Sequence, residues 1–220
     1  MSRPIAVLRP EPGNRITAAA VEGRGRTAIR LPLFATRPLA WDVPDPAGYD
    51  ALILTSANAV RLAGEGLATL RGLPVHAVGE ATASAARRAH FDVIATGGAG
   101  AAALVAQAEA AGVHRALHLA GQERTLHAGG IVADVIPVYA SEVLPVSVAD
   151  VAALAGCVAL VQSARAGARL AELVHDRGTV RLAAVSEAAA AGAGQGWAVT
   201  AVAACPETEA LLDLAVALAD

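Results

Sequence analysis

The sequence predicts an α/β fold of two similar units, each a parallel sheet with helices on both faces. Three observations carry this. Short apolar runs alternate with Ala/Leu-rich segments of about 10–15 residues at helical spacing, the pattern of parallel strands joined by helical crossovers. The order of elements then repeats: Ser56 and Ser163, 107 residues apart, each end a buried run, and Val78 and Val185, again 107 apart, each end the next. Finally, two extended Pro-bearing segments, LPLFATRP and IPVYASEVLP, stand outside the alternation.

Residues 5–8 (IAVL) form the first strand candidate and 27–34 (TAIRLPLF) the second. The uninterrupted run 51–55 (ALILT) ends in Thr55-Ser56 and leads into NAVRLAGEGLATLR, whose apolar residues recur at i, i+3 and i+4 as in a helix with one buried face. Strands follow at 75–78 (VHAV), 91–95 (FDVIA), 115–120 (RALHLA) and 133–143 (ADVIPVYASEV). The second half adds 157–162 (CVALVQ), the helical ARAGARLAELVHDRG, 181–186 (RLAAVS) and 197–203 (WAVTAVA). In the two outlying segments, Pro32 and Pro137 cannot donate to a strand ladder, and no helix follows promptly. Both segments suit crossovers between lobes better than central strands. If both cross, one lobe is the middle of the chain and the other is made of both ends. The repeat by itself equally permits two contiguous halves.

A chain of 220 residues fits one large domain or two of ordinary size. Hydrophobic residues make up 55% and aromatics only 3%, so the cores are Ala, Val and Leu. The mean hydropathy of +0.49 is high, yet no run of about 18 uncharged apolar residues occurs, so alanine richness explains it. Met1 to Pro4 lead straight into IAVL, too short for a signal-peptide core, and the chain reads as cytosolic. A net charge of −3 argues against nucleic-acid binding and means that any anion site must be local. Cys157 and Cys205 lie within or beside apolar runs without metal spacing and read as buried, reduced thiols.

Doubly wound folds bind ligands at the carboxyl ends of their strands. Those ends carry Arg9-Pro10-Glu11, Thr55-Ser56-Ala57-Asn58, Gly79-Glu80-Ala81-Thr82, Gly121-Gln122-Glu123-Arg124, Ser163-Ala164-Arg165 and Ser186-Glu187. Hydroxyls and helix N-termini suit carboxylates and phosphates, although any one junction alone reads as an ordinary N-cap. Their recurrence in both halves points to a cleft for a ligand with many acid groups. Other motifs fail. GRGRTA, GGAG and GAGQG are wrongly placed for a dinucleotide turn, and the phosphate-loop sequence is absent. His114 and His118 have i, i+4 spacing but straddle a loop and a strand, and zinc needs more converging ligands. His76, His90, His127 and His175 are scattered and read as surface or edge residues. No Ser/His/acid triad and no strand-end acidic cluster can be assembled. Tyr139, one of two tyrosines, lies in the second crossover. It suits a packed plug there, or a phenol that donates a proton to a leaving hydroxyl.

Together these residues resemble the uroporphyrinogen-III synthase family along nearly the whole chain. The matching stretches are LRP (8–10), LTSANAV (54–60), VGEATA (78–83), a lone Gly121 after an apolar strand, the Val138-Tyr139 pair and CPETEALL (205–212). The resemblance implies two doubly wound parallel-sheet lobes (a HemD-like fold) joined by a two-stranded linker. One lobe would comprise 1–34 with 143–220, the other 37–136, with linkers near 31–37 and 136–143. It implies a cofactor-free, metal-free lyase that cyclises hydroxymethylbilane, a linear tetrapyrrole, to uroporphyrinogen III with loss of water and inversion of the last ring through a spiro intermediate.

By position, Tyr139 matches the linker tyrosine that assists departure of the hydroxyl. Thr55, Ser56, Ala57, Asn58, Gly79, Thr82, Gly121, Arg124, Ser163, Arg165, Ser186 and Arg9 fall on junctions that meet the substrate. Gly79 and Gly121 would permit close backbone approach. Ala188 and Ala189 stand where many relatives have threonines. The resemblance further implies a cytoplasmic monomer without nucleic-acid or membrane partners, supplied with substrate by hydroxymethylbilane synthase. The competing reading is a non-catalytic two-lobed protein that closes on an anionic small molecule.

Overall fold

The computed structural model describes residues 2–220, which form two compact units. Unit 1 holds the chain through Ala35 together with Val143–Asp220, and unit 2 holds Thr36–Glu142. The chain opens in unit 1 with β1 (Ile5–Val7), α1 (Gly13–Glu22) and β2 (Ala28–Arg30). After β3 (Phe34–Pro38), unit 2 follows as β4 (Ala51–Leu54), α2 (Ala57–Leu62), β5 (Val75–Ala77), α3 (Glu80–Arg88), β6 (Val93–Thr96), α4 (Ala101–Ala110) and β7 (Ala116–Gly121). Then β8 (Val132–Val143) returns the chain to unit 1, which continues with α5 (Val148–Ala152), β9 (Val158–Val161), α6 (Ala164–Leu173), β10 (Arg181–Ala184), α7 (Glu187–Ala193), β11 (Val199–Val202) and α8 (Thr208–Ala219).

The sheet of unit 1 has the order β11-β10-β9-β1-β2, and every pairing is parallel. Unit 2 has the order β6-β5-β4-β7-β8-β3, parallel from β6 to β8. The central strands β9, β1, β4 and β7 are buried throughout, which is why they read as unbroken apolar runs rather than alternations. Each sheet has helices on both faces. In unit 1, α6 and α7 cover one face and α1 and α8 the other. In unit 2, α2 and α3 cover one face while α4 stands on the other.

The repeat has a direct structural meaning. β4 and β9, α3 and α7, and α4 and α8 each begin 107 residues apart. The third partner of this central strand is permuted: β7 flanks β4 as β1 flanks β9. The units differ after that strand, because unit 1 inserts α1 before β2 whereas unit 2 runs by a loop, residues 122–131, into β8.

Four expectations need revision. Residues 27–34 are not one strand: the ladder ends at Arg30 and resumes at Phe34, on either side of Pro32. The two Pro-bearing segments are more than connectors. The Leu39 N–H donates to Val138 O and the Leu144 N–H donates to Leu33 O, both at 2.9 Å, so β3 and β8 run antiparallel. The first part of β8, however, is a full parallel member of the sheet beside β7. His76 is a core residue at 1% exposure on β5, which lies between β4 and β6 and is buried along its whole length. Cys205 is exposed because it lies beyond β11 in the bend before α8, while burial in the core pushes the Cys157 thiol up to about 12.

Glycine does structural work where α6 meets α7. A Cβ on Gly167 would lie 2.7 Å from Ala193 N, and one on Gly192 would lie 2.3 Å from Ala164 O. The two backbones therefore touch, and the first glycine of GAGQG is explained by helix packing.

Candidate active site

Unit 2 contains a hollow of about 330 Å³ at the carboxyl ends of β4 and β7, lined among others by Thr55, Ser56, Gly121, Arg124, Thr125 and Tyr139. Tyr139 reaches it through an irregularity in β8. Pro137 pairs with Ala120, but the next pairing is Gly121 with Tyr139, so Val138 is skipped. A one-residue shift moves side chains to the opposite face of a strand. Val138 is thereby fully buried, and Tyr139 lines the hollow.

Gly121 is what allows this. A Cβ there would lie 2.8 Å from Tyr139 Cζ and 3.0 Å from its hydroxyl oxygen. The close backbone approach expected at Gly121 is taken by the phenol ring of the protein itself. Gly79 is different, since a Cβ there would meet nothing within 4 Å and its backbone is extended. Its open flank leaves room for a ligand.

Arg124 folds back over the strand end. Its Nη1 donates to Gln122 O at 2.8 Å and lies 3.5 Å from Gly121 O, while its Nε is buried without a partner among the described residues. Below it, His118 is fully buried, with Nε2 2.9 Å from Thr55 Oγ1 and Nδ1 without a partner among the described residues. Burial, with the Arg124 charge adding to it, pushes the imidazole down to about 4. The ring is neutral at neutral pH. Its importance was invisible in the sequence, where the i, i+4 spacing to His114 raises only a metal pair that too few converging ligands rule out; the informative feature was a polar residue inside the apolar run RALHLA.

The remaining expected residues divide by unit. Ser56 caps α2 by accepting from the Asn58 N–H at 3.2 Å, and the Asn58 Oδ1 accepts from Arg61. Ala57 opens the same helix. Thr82 is buried to 5% in the first turns of α3. On unit 1, Ser163 and Ser186 cap α6 and α7 by accepting from the Ala166 and Ala189 amides. The three serine hydroxyls thus serve as caps in both units. Arg165 stacks on Phe34, 4.4 Å from the ring centroid. Ala189 is buried against the core beside α6, whereas Ala188 is exposed.

Arg9 lies across Gly13, where a Cβ would meet its Nε at 2.5 Å. This end of unit 1 is closed by α1. Asn14, fully buried, donates to Val7 O at 2.7 Å and to Arg9 O at 3.1 Å, and accepts from Arg30 Nε at 3.0 Å. Arg30 also pairs with Glu11. Among the described residues no group of three or more His, Cys, Asp or Glu side chains could hold a metal ion, and no helix is long and apolar enough to cross a membrane.

Comparison with known proteins bears on the fold and the family. The chain is similar to the crystal structure of uroporphyrinogen-III synthetase from Helicobacter pylori 26695, with 19% identity, a TM-score of 0.70, and 99% of this chain and 100% of that one covered. That likeness establishes the fold. A mutant uroporphyrinogen III synthase from the extremely thermophilic bacterium Thermus thermophilus aligns at 18% identity over 97% of this chain and 96% of that one, with a TM-score of 0.49. No curated protein matches the sequence. The model of the family described as uroporphyrinogen-III synthase HemD matches residues 16–213, nearly the whole chain. The chain belongs to the uroporphyrinogen-III synthase HemD family.

Proposed function

We propose that this protein cyclises hydroxymethylbilane to uroporphyrinogen III, with loss of water and inversion of the last pyrrole ring, without a cofactor. The observation that carries the reading is the family match over residues 16–213. It favours catalysis over the alternative of a binding protein that only closes on an anion. The hollow beside Tyr139 supplies groups suited to the chemistry.

The substrate carries many carboxylates and one hydroxyl that must depart. On this reading the Tyr139 phenol donates a proton to that hydroxyl, the C–O bond breaks and water leaves, and loss of the pyrrole N–H proton gives an electrophilic azafulvene. Arg124 and the Thr55 hydroxyl hold a carboxylate arm beside it, with Ser56, Ala57, Asn58, Gly79 and Thr82 framing the same strand ends. Gly121 keeps the phenol in place. Arg9, Ser163, Arg165 and Ser186 are contacts for further arms. The last ring then attacks through its substituted carbon, and the spiro intermediate fragments and recloses with that ring inverted. Such an enzyme needs no nucleophile of its own: it must favour one geometry of ring closure over another.

The test is incubation with hydroxymethylbilane followed by chromatographic separation of product isomers. The reading requires the type III isomer, formed faster than spontaneous closure. Type I alone, at the uncatalysed rate, contradicts it. We further read the protein as a cytoplasmic monomer that takes its substrate from hydroxymethylbilane synthase. Light scattering at assay concentrations reads its mass, and a stable dimer would refute the monomer.

A further inference from the structure

We infer that His118 is a positioning residue that donates from Nε2 to Thr55 Oγ1 and so commits the Thr55 hydroxyl proton to an anionic group in the hollow. The inference rests on the proposed function, in which that group is a substrate carboxylate. Three features of the structure bear on it. His118 Nε2 and Thr55 Oγ1 are 2.9 Å apart. The His118 ring is fully buried, with Nδ1 unpartnered. Thr55, in contrast, lines the hollow together with Arg124.

A neutral imidazole has one N–H and one lone pair, and the hydrogen bond made by one nitrogen decides which tautomer is present. With the proton on Nδ1, a buried donor would lack an acceptor, and Thr55 would have to spend its own proton on Nε2. With the proton on Nε2, the donor is used and only a lone pair is left unmatched. Orphaned buried N–H groups are the rarer and costlier case. Burial and the nearby Arg124 charge keep the ring from taking a second proton near neutral pH. The Thr55 oxygen thus receives one hydrogen bond from below and gives one outward. Next to a guanidinium, an outward hydroxyl donor completes a cradle for a carboxylate.

The position is peculiar to unit 2. His118 pairs with Ile53 on β4, and the matching pair in unit 1 is Val7 with Leu160 on β9, which is wholly apolar. A core histidine is therefore not an architectural need of this sheet. Its one hydrogen-bond partner belongs to the hollow.

Two measurements on the intact protein test the assignment. Ring ¹⁵N resonances of His118 in the wild-type protein report the tautomer directly, whatever its activity. Protonated Nε2 and bare Nδ1, unchanged between pH 6 and 8, are expected; a proton on Nδ1 overturns the proposal. In the second, KM and kcat are compared for His118→Leu, Thr55→Val and the double variant. His118→Leu should raise KM about tenfold, with kcat changed much less, the scale of one hydrogen bond to a charged group. Thr55→Val should do the same, and the double variant should be no worse than Thr55→Val alone. His118→Gln, which restores a donor near Nε2, should recover most of the loss. Losses that multiply in the double variant overturn the positioning role. If His118→Leu does not fold, the wild-type tautomer decides alone. Failure of the proposed function is distinguishable, because it appears as absence of the type III isomer with the wild-type protein.

Discussion

In unit 1 the strand ending at Val7 runs into a helix, and the Asn14 side chain takes up the carbonyls of Val7 and Arg9. In unit 2 the equivalent strand ends at Gly121 and runs into a loop, where Arg124 takes the Gln122 carbonyl. Two nearly identical sheets therefore finish in opposite ways. Unit 1 closes its strand end with a neutral amide locked by Arg30 and Glu11. Unit 2 leaves a hollow, a cation and a tyrosine. The same contrast runs beneath the surface. Val7, Leu160 and Ala183 pair across unit 1 where His118, Ile53 and His76 pair across unit 2. One unit has an apolar strip where the other carries polar groups in its core, at some expense in stability.

Acid should break the symmetry most strongly. His118 titrates near 4 when folded, and burial also pushes His76 down despite the opposing pull of Asp50. An unfolded histidine titrates near 6.5, so the unfolded chain takes up protons first as pH falls. Stability contributed by neutral His118 is complete above about pH 6.5 and is lost as pH falls from there toward 4, by about 1.4 kcal/mol per pH unit. His76 adds in the same direction. Hydrogen exchange at pH 7 and pH 5 should show β4, β5 and β7 losing protection well before β1, β9 and β10. Equal loss in both units would contradict the assignment of the acid-sensitive groups.

Gly121→Ala sharpens the comparison at the site. The clash is with the far end of the Tyr139 ring, which can swing away, so the melting temperature should hardly move. Turnover should fall by about tenfold or more, the cost of misplacing a catalytic donor. A variant as active as wild type would mean that Tyr139 does not need its place over Gly121.

A smaller effect is expected at Arg124. Arg124→Gln removes the cation of the hollow and should raise KM about tenfold with kcat largely kept, the scale of one charge-assisted hydrogen bond. An unchanged KM would remove Arg124 from substrate binding.

The strands and the repeat were legible in the sequence because buried parallel strands leave unbroken apolar runs and because both copies kept their spacing. ALILT and CVALVQ align without adjustment. The partition of the chain was not legible from spacing alone, since a permuted duplication and two contiguous copies repeat at the same interval. The dual character of β8 was hidden by Pro137, which speaks against a central strand although the ladder accommodates it next to a register shift. At the site, residue types were readable and their duties were not. The serines at strand ends were legible both as N-caps and as ligand contacts, and the geometry has each hydroxyl accepting from its own helix. The flank of Gly121 is filled by a residue eighteen positions away, which no local motif encodes. His76 was misjudged because a single polar letter in a short apolar run resembles an edge position, and His118 was weighed only as a metal ligand.

The most direct test of the account is the isomer assay on Tyr139→Phe beside the wild-type protein. Loss of the phenol proton donor should lower turnover by about a hundredfold with little change in KM, so that spontaneous closure to the type I isomer overtakes the enzyme. A Tyr139→Phe protein that makes the type III isomer at the wild-type rate would contradict the central claim, that the tyrosine held over Gly121 in unit 2 drives departure of the hydroxyl.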